Sequence, residues 1–327
     1  MSSGRLLLQE DGEEKTVLPR NLGALDLTLI GLGASIGSGI FVLSGVALNE
    51  AGPACVISFG VAAAVCVLSA LCYAELATRF PSSGGAYLFV RQALGQPWAL
   101  IVAVNLLFDY HIAAASIARA FSGYLRNLIV AVAPGGDASA STRWMDHIPV
   151  SGIVSGNVVA PVLLVLLTAV LCRGAKEGAT INRILTGTKI ATILLVIFAG
   201  CTRVEPSLWW RDGVFPEGVA PVAVQSATLF FAYVGFDVVA NTAEEAKDPA
   251  RTIPLGIVLS LLACAVLYGG VVLVLAGLVA YEDVDTTAPL AAAFDDQVMD
   301  TSSSDKRKEA WEQSKQLLYP SCMAITG

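Results

Sequence analysis

Residues 31–41 read Gly31-Leu-Gly-Ala-Ser-Ile-Gly-Ser-Gly-Ile-Phe41, inside an apolar run over 25–48 that is long enough to cross a bilayer. Four glycines fall within nine residues of that run. A glycine inside a helix costs about 0.5–1 kcal/mol relative to alanine, so this density favours backbone that leaves the helix. Lipid cannot satisfy the freed N–H and C=O groups, and such backbone must line a cavity or be covered by protein. Helix-terminal N–H groups held at mid-membrane suit an anionic group such as a carboxylate. The stretch therefore reads as one wall of a ligand site. Three other readings use the same letters. Gly33 and Gly37 form a GxxxG pair that serves close helix packing. Gly33-Ala-Ser-Ile-Gly37 also fits the hydrolase nucleophile elbow, but neither flank reads as the strand and helix that motif needs. A dinucleotide fingerprint fails because Ile36 stands where its third glycine belongs.

Composition agrees with the apolar run. Of 327 residues, 55% are hydrophobic and 14% charged, and the mean hydropathy is +0.68. A soluble domain carries about 25% charged residues, so the chain reads as an integral membrane protein. A net charge of −7 argues against a nucleic-acid partner. The seven cysteines show no metal or disulfide spacing and read as small core residues. No cleavable signal is expected, because the first twenty-odd residues are polar and acidic.

Six further spans follow the broken first one, at about 55–78, 98–130, 158–172, 184–200, 222–243 and 253–280. The third carries Asp109, whose stripe with Ala113, Ser116, Ala120 and Gly123 has helical spacing and points Asp109 into the bundle. His111 falls off that stripe and reads as a structural imidazole. Lys189, in the fifth span, either faces the interior or snorkels to the interface from the first turns. The sixth span contains Phe230-Phe-Ala-Tyr-Val-Gly-Phe-Asp237, where a glycine and an acid break it near its middle. Past Tyr281 no span is expected, only a polar end with a short helix near 308–318. If the N-terminus is cytoplasmic, the inside holds Arg5, Lys15, Arg20, Arg79, Arg91, Arg173, Lys176, Arg183, Lys247 and Arg251. The outside then holds Arg126, Arg143, Arg203 and Arg211, and ten against four favours that orientation.

Two broken spans separated by four others are what an inverted five-helix repeat would give, with each repeat's first helix interrupted at a midplane site. The expected fold is an all-α polytopic membrane protein of the five-plus-five, LeuT-like kind. Its helices one and six would be discontinuous and its second repeat truncated after two helices. The expected organisation is a cytoplasmic tail at 1–24, a transporter domain of about seven transmembrane helices at 25–295, and a polar segment at 296–327.

Four blocks resemble the cationic amino acid transporter branch of the amino acid–polyamine–organocation superfamily, of the plant and algal type. They are Gly33-Ala-Ser-Ile-Gly-Ser-Gly-Ile-Phe41; Ala51-Gly-Pro with Cys72-Tyr-Ala-Glu75; the Ala118-Arg-Ala120 region; and Phe230 to Asp237 running into Glu244-Glu-Ala-Lys-Asp-Pro-Ala-Arg-Thr-Ile-Pro254. The resemblance implies an alternating-access carrier of amino acids, cationic or broader, that is not an enzyme. It implies that backbone N–H groups at Ser35, Ile36, Gly37, Ser38 and Gly39 bind the substrate carboxylate. Carbonyls around Phe231, Ala232 and Tyr233 would receive the α-ammonium beside Gly235 and Asp237, with Phe231 as an aromatic gate. Lys189 matches a lysine of proton-coupled members, so the expected coupling ion is a proton and no cofactor or metal is expected. Asp109 is a candidate partner for a cationic side chain. The expected partners are the amino acid, membrane lipid and a chain that supplies the missing helices. The expected location is the plasma membrane or a vacuolar or lysosomal membrane. A rival from another class is a sensor or truncated isoform without transport. An intramembrane hydrolase using Asp109 with Asp237, or Ser35 with His111, is the third reading. It needs those groups within a few ångströms of each other.

Overall fold

A computed structural model describes residues 21–80, 84–132, 148–151, 154–172, 175–211, 213–286 and 288–294, together with a short strand pair at 7–8 and 14–15. The described residues are mostly helical. Helix α1 (Ala24–Ser35) ends in a break, and a π-helical turn (Gly39–Leu43) leads into α2 (Ser44–Ala51). Then come α3 (Cys55–Arg79), α4 (Gly85–Leu94), α5 (Gln96–Val132), α6 (Val159–Leu171) and α7 (Ala175–Cys201). Helix α8 (Val219–Tyr233) ends in a second break, followed by α9 (Phe236–Asn241), α10 (Pro249–Leu278) and a short α11 (Pro289–Ala292). Two antiparallel pairs complete the elements: Leu7–Leu8 with Glu14–Lys15, and Ile148–Ser151 with Val154–Gly156.

Five helical stretches are long and apolar enough to cross a membrane, and Ala24–Ser35 and Val159–Val170 are shorter apolar helices. The expected spans thus appear as helices, with both expected interruptions in place. One helix lies outside the expected spans: α4 occupies ten residues between the spans expected at 55–78 and 98–130. Phe80-Pro-Ser-Ser-Gly and Gly95-Gln-Pro97 flank it, and these breakers mask the helix between them. It is held by Phe89, whose ring meets Tyr73 edge-on at 6.2 Å, while Tyr73 meets Phe236 at 5.4 Å. Helix α7 likewise starts at Ala175, nine residues before the span expected at 184–200. The expected helix at 308–318 lies outside the described residues.

The core lies where α3 and α1 pack on α10 and α8 packs on α3. Lipid removes most of the hydrophobic drive between helices, so close packing of small residues takes its place. Helix α3 supplies this with a buried ladder of Ser58, Ala62, Cys66, Ala70, Ala74 and Ala77, spaced three or four apart on one face. Three buried rings, Phe59, Tyr233 and Tyr268, close one end of the seam with centroids 5.1–6.5 Å apart. Each such pair contributes about 0.5–1.5 kcal/mol beyond its area. This core holds the two helix breaks against each other.

Candidate functional site

The two breaks touch. Val234 is extended and Gly235 has φ 145°, a conformation closed to other residues in practice. A Cβ on Gly235 would lie 2.6 Å from the Ser35 nitrogen, so the second break abuts the first. On the far side of the first break, a Cβ on Gly39 would lie 2.5 Å from the Ala232 α-carbon. The glycines therefore let two interrupted helices meet backbone to backbone.

Breaking a helix leaves carbonyls at one end and N–H groups at the other, and each needs a partner. At the end of α1 the carbonyls are satisfied by protein. Leu32 accepts from the Ile36 N–H at 3.0 Å. The Lys189 ammonium donates to Ile36 O at 2.8 Å and Gly33 O at 3.3 Å. Tyr268, fully buried, donates its hydroxyl to Ser35 O at 2.9 Å. The Ser35 hydroxyl crosses to Tyr233 O at 3.4 Å and ties the breaks together. The donors on the other side differ. Among the described residues, the N–H groups of Gly37 and Ser38 meet no acceptor. Nor do the carbonyls of Phe231 and Ala232, at the end of α8, meet a donor. Open donors and open acceptors sit on neighbouring backbones, an arrangement that suits a zwitterion.

The expected donor set narrows accordingly. The Ile36 N–H is engaged within α1, and Ser35 is its last helical residue, so Gly37 and Ser38 are the open donors. Gly39 is buried and its α-carbon packs on Ala232, which gives it a packing role. Gly37 has room: a Cβ there would sit 3.5 Å from Ile117. Ser38 faces α5 through a 3.3 Å contact between its hydroxyl and that of Ser116. Phe231 is 65% exposed beside the open carbonyls. Lys189 is half-buried and holds the first break, which answers the snorkelling alternative.

The polar groups below the breaks come from α5 and α9. Tyr110 donates to Asp237 Oδ2 at 2.7 Å. Asp109 is half-buried, and both acids lie within electrostatic reach of Tyr73. Ser116 lies seven positions after Asp109, about 10 Å along one helix face. His111 is exposed with Nδ1 2.6 Å from Leu107 O in its own helix. With Ser35 tied to Tyr233 O and His111 to Leu107 O, those two make no hydrolytic pair. Among the described residues no group of three metal-binding side chains assembles. Tyr110 and Tyr268 were not singled out from sequence. Tyr110 adjoins Asp109, a weak signal, and Tyr268 carries none, being one ring in an apolar span.

Comparison with known proteins gives the family. A family model for amino acid permeases matches residues 22–300. The chain is 45% identical over 285 residues to Cationic amino acid transporter 9, chloroplastic, of Arabidopsis thaliana, covering 86% of this chain and 49% of that protein. It is 39% identical to the Methylthioribose transporter of Bacillus subtilis, covering 85% and 59%. It is 38% identical to human Cationic amino acid transporter 4, covering 89% and 46%. The chain thus spans about half the length of the curated relatives it matches.

Proposed function

Because the chain belongs to the amino acid permease family, we propose that it carries amino acids across a membrane by alternating access, through the site between its two helix breaks. The observation that carries this reading is the pairing of open N–H groups at Gly37 and Ser38 with open carbonyls at Phe231 and Ala232. A carboxylate on the donors and an α-ammonium on the acceptors would satisfy both sets at once. On this reading the breaks are the midplane interruptions of an inverted-repeat carrier. The N-terminus faces the cytoplasm, Phe231 gates the site, and the membrane is plasma, vacuolar or lysosomal.

The relatives' names include cationic amino acids and methylthioribose, so the side-chain preference rests on residues of this chain. Asp109 lies on the face of α5 that meets Ser38 through Ser116, about two turns away. That spacing favours a long cationic side chain over a short one. Lys189 already bridges two carbonyls of the first break as an ammonium. Loss of its proton would weaken that bridge by removing the charge that strengthens both bonds, which makes it the group proposed to couple transport to protons, with no cofactor or metal.

A second reading, an amino acid-binding unit completed by a partner chain, is favoured by one observation. Asn105, His111 and Arg119 are exposed on α5, whose apolar window is nowhere buried. Lipid holds such groups only at several kcal/mol each, so covering helices are called for. Uptake of labelled arginine into proteoliposomes separates the readings. Uptake by the chain alone supports the carrier. Binding without uptake, with uptake restored by co-reconstituting a full-length relative, supports the second.

A further inference from the structure

Residues 21–23, just before α1, lie against residues 244–248, just after α9 and before α10. Leu22 and Ala246 form a parallel bridge. The Leu22 N–H donates to Glu245 O at 3.0 Å, and the Lys247 N–H donates to Leu22 O at 3.0 Å. The next residue is fixed as well: the Gly23 N–H donates to Asp26 Oδ2 at 2.9 Å, and the Leu27 N–H donates to Gly23 O at 3.1 Å. Every backbone donor and acceptor of residues 22 and 23 is therefore engaged. Ala246, in the bridge itself, and nearby Ala243 are both fully buried. Close packing continues along the helices it joins. A Cβ on Gly31 would lie 2.7 Å from Ser260 Oγ and 2.8 Å from Val239, and one on Gly256 would lie 2.7 Å from the Leu27 Cβ.

We propose that the Leu22–Ala246 bridge is a clamp that makes the two interrupted half-helices at this end of the bundle, α1 and α9, move as one body with α10. At their breaks the helical ladders of both half-helices are already interrupted, so a hinge there breaks few helical hydrogen bonds. Their other ends are where independent movement has to be prevented, and the two bridge bonds sit there. Opening this end of the site by swinging α1 away alone would break both bonds and strip Leu27 from Gly256. Moving α1, α9 and α10 together breaks neither. The clamp stands on these hydrogen bonds and not on the carrier reading, so each can fail without the other.

The test removes the bridge's donors one at a time and reads amide hydrogen exchange of the full chain in nanodiscs by mass spectrometry. Lys247→Pro deletes one donor. The residue before it, Ala246, already has φ −73° and ψ 136°, the region that a following proline requires. Leu22→Pro deletes the other donor from the opposite strand. Lys247→Ala keeps the N–H and removes only the exposed side chain with its charge. The clamp predicts that each proline variant speeds exchange across residues 24–35 at least tenfold, while residues 55–79 of α3 and the whole Lys247→Ala variant stay at wild-type rates. Unchanged exchange in 24–35 in both proline variants overturns it. So does equal acceleration in α3, which would make the bridge a general fold element, and so does acceleration by Lys247→Ala.

Discussion

Gly235→Ala isolates the contact between the two helix breaks. Gly235 has φ 145°, where a side chain costs about 1–3 kcal/mol in backbone strain. Its added Cβ would also lie 2.6 Å from the Ser35 nitrogen and hydroxyl and 2.8 Å from the Ala34 carbonyl carbon. Those neighbours are mainly backbone held by the Tyr268 and Lys189 hydrogen bonds, so little can give way. Overpacking of this kind costs about 1–3 kcal/mol more. Gly60→Ala is the matched control: it lies within α3 with nothing within 4 Å of its added Cβ. There alanine should stabilise by about 0.5–1 kcal/mol through helix propensity. Thermal unfolding in detergent should show Gly235→Ala falling well below wild type and Gly60→Ala at or above it. A Gly235→Ala protein as stable as Gly60→Ala would refute the backbone-to-backbone contact on which the site is built.

Tyr268→Phe keeps the ring packing but leaves Ser35 O without its donor, a loss of about 1–3 kcal/mol visible as lower stability and weaker substrate binding. Asp109→Asn should weaken arginine and lysine more than alanine in competition binding, and an equal loss for all three would remove it from selectivity. Uptake should rise as the outside is acidified in wild type and be flat with pH in Lys189→Met, and parallel pH curves would end the proton role. Lys189→Arg should hold both carbonyls yet abolish the pH response, because a guanidinium keeps its proton.

Both interruptions were legible because glycine density in an apolar run has a local effect: four glycines in the first span and Gly235 in the sixth favour backbone that leaves the helix. The partners of those glycines were not legible. Gly37 and Gly39 look alike in sequence, yet a Cβ on the first would make ordinary contact with Ile117 at 3.5 Å while one on the second would collide with Ala232 at 2.5 Å. Tyr110 and Tyr268 reach acceptors 127 and 233 residues away, and no local pattern encodes such a reach. The N–H groups of Ser35 and Ile36 are engaged within α1 for a related reason. How far a helix runs before it breaks depends on what satisfies its last carbonyls. Here Lys189 and Tyr268 do so from α7 and α10, and let α1 run to Ser35. Helix α4 stayed hidden because breakers on both sides resemble one long loop.

The account turns on open N–H groups at Gly37 and Ser38 holding a carboxylate. Titration of the purified chain with arginine and with argininamide, which lacks the carboxylate, tests this directly, in wild type and in Gly37→Val. Gly37 has room for a side chain toward Ile117, so the variant should fold while its new bulk covers the donors. The account predicts that wild type binds arginine, that argininamide binds at least a hundredfold more weakly, and that folded Gly37→Val binds neither. Equal affinity for arginine and its amide, or unchanged arginine binding in Gly37→Val, would contradict it.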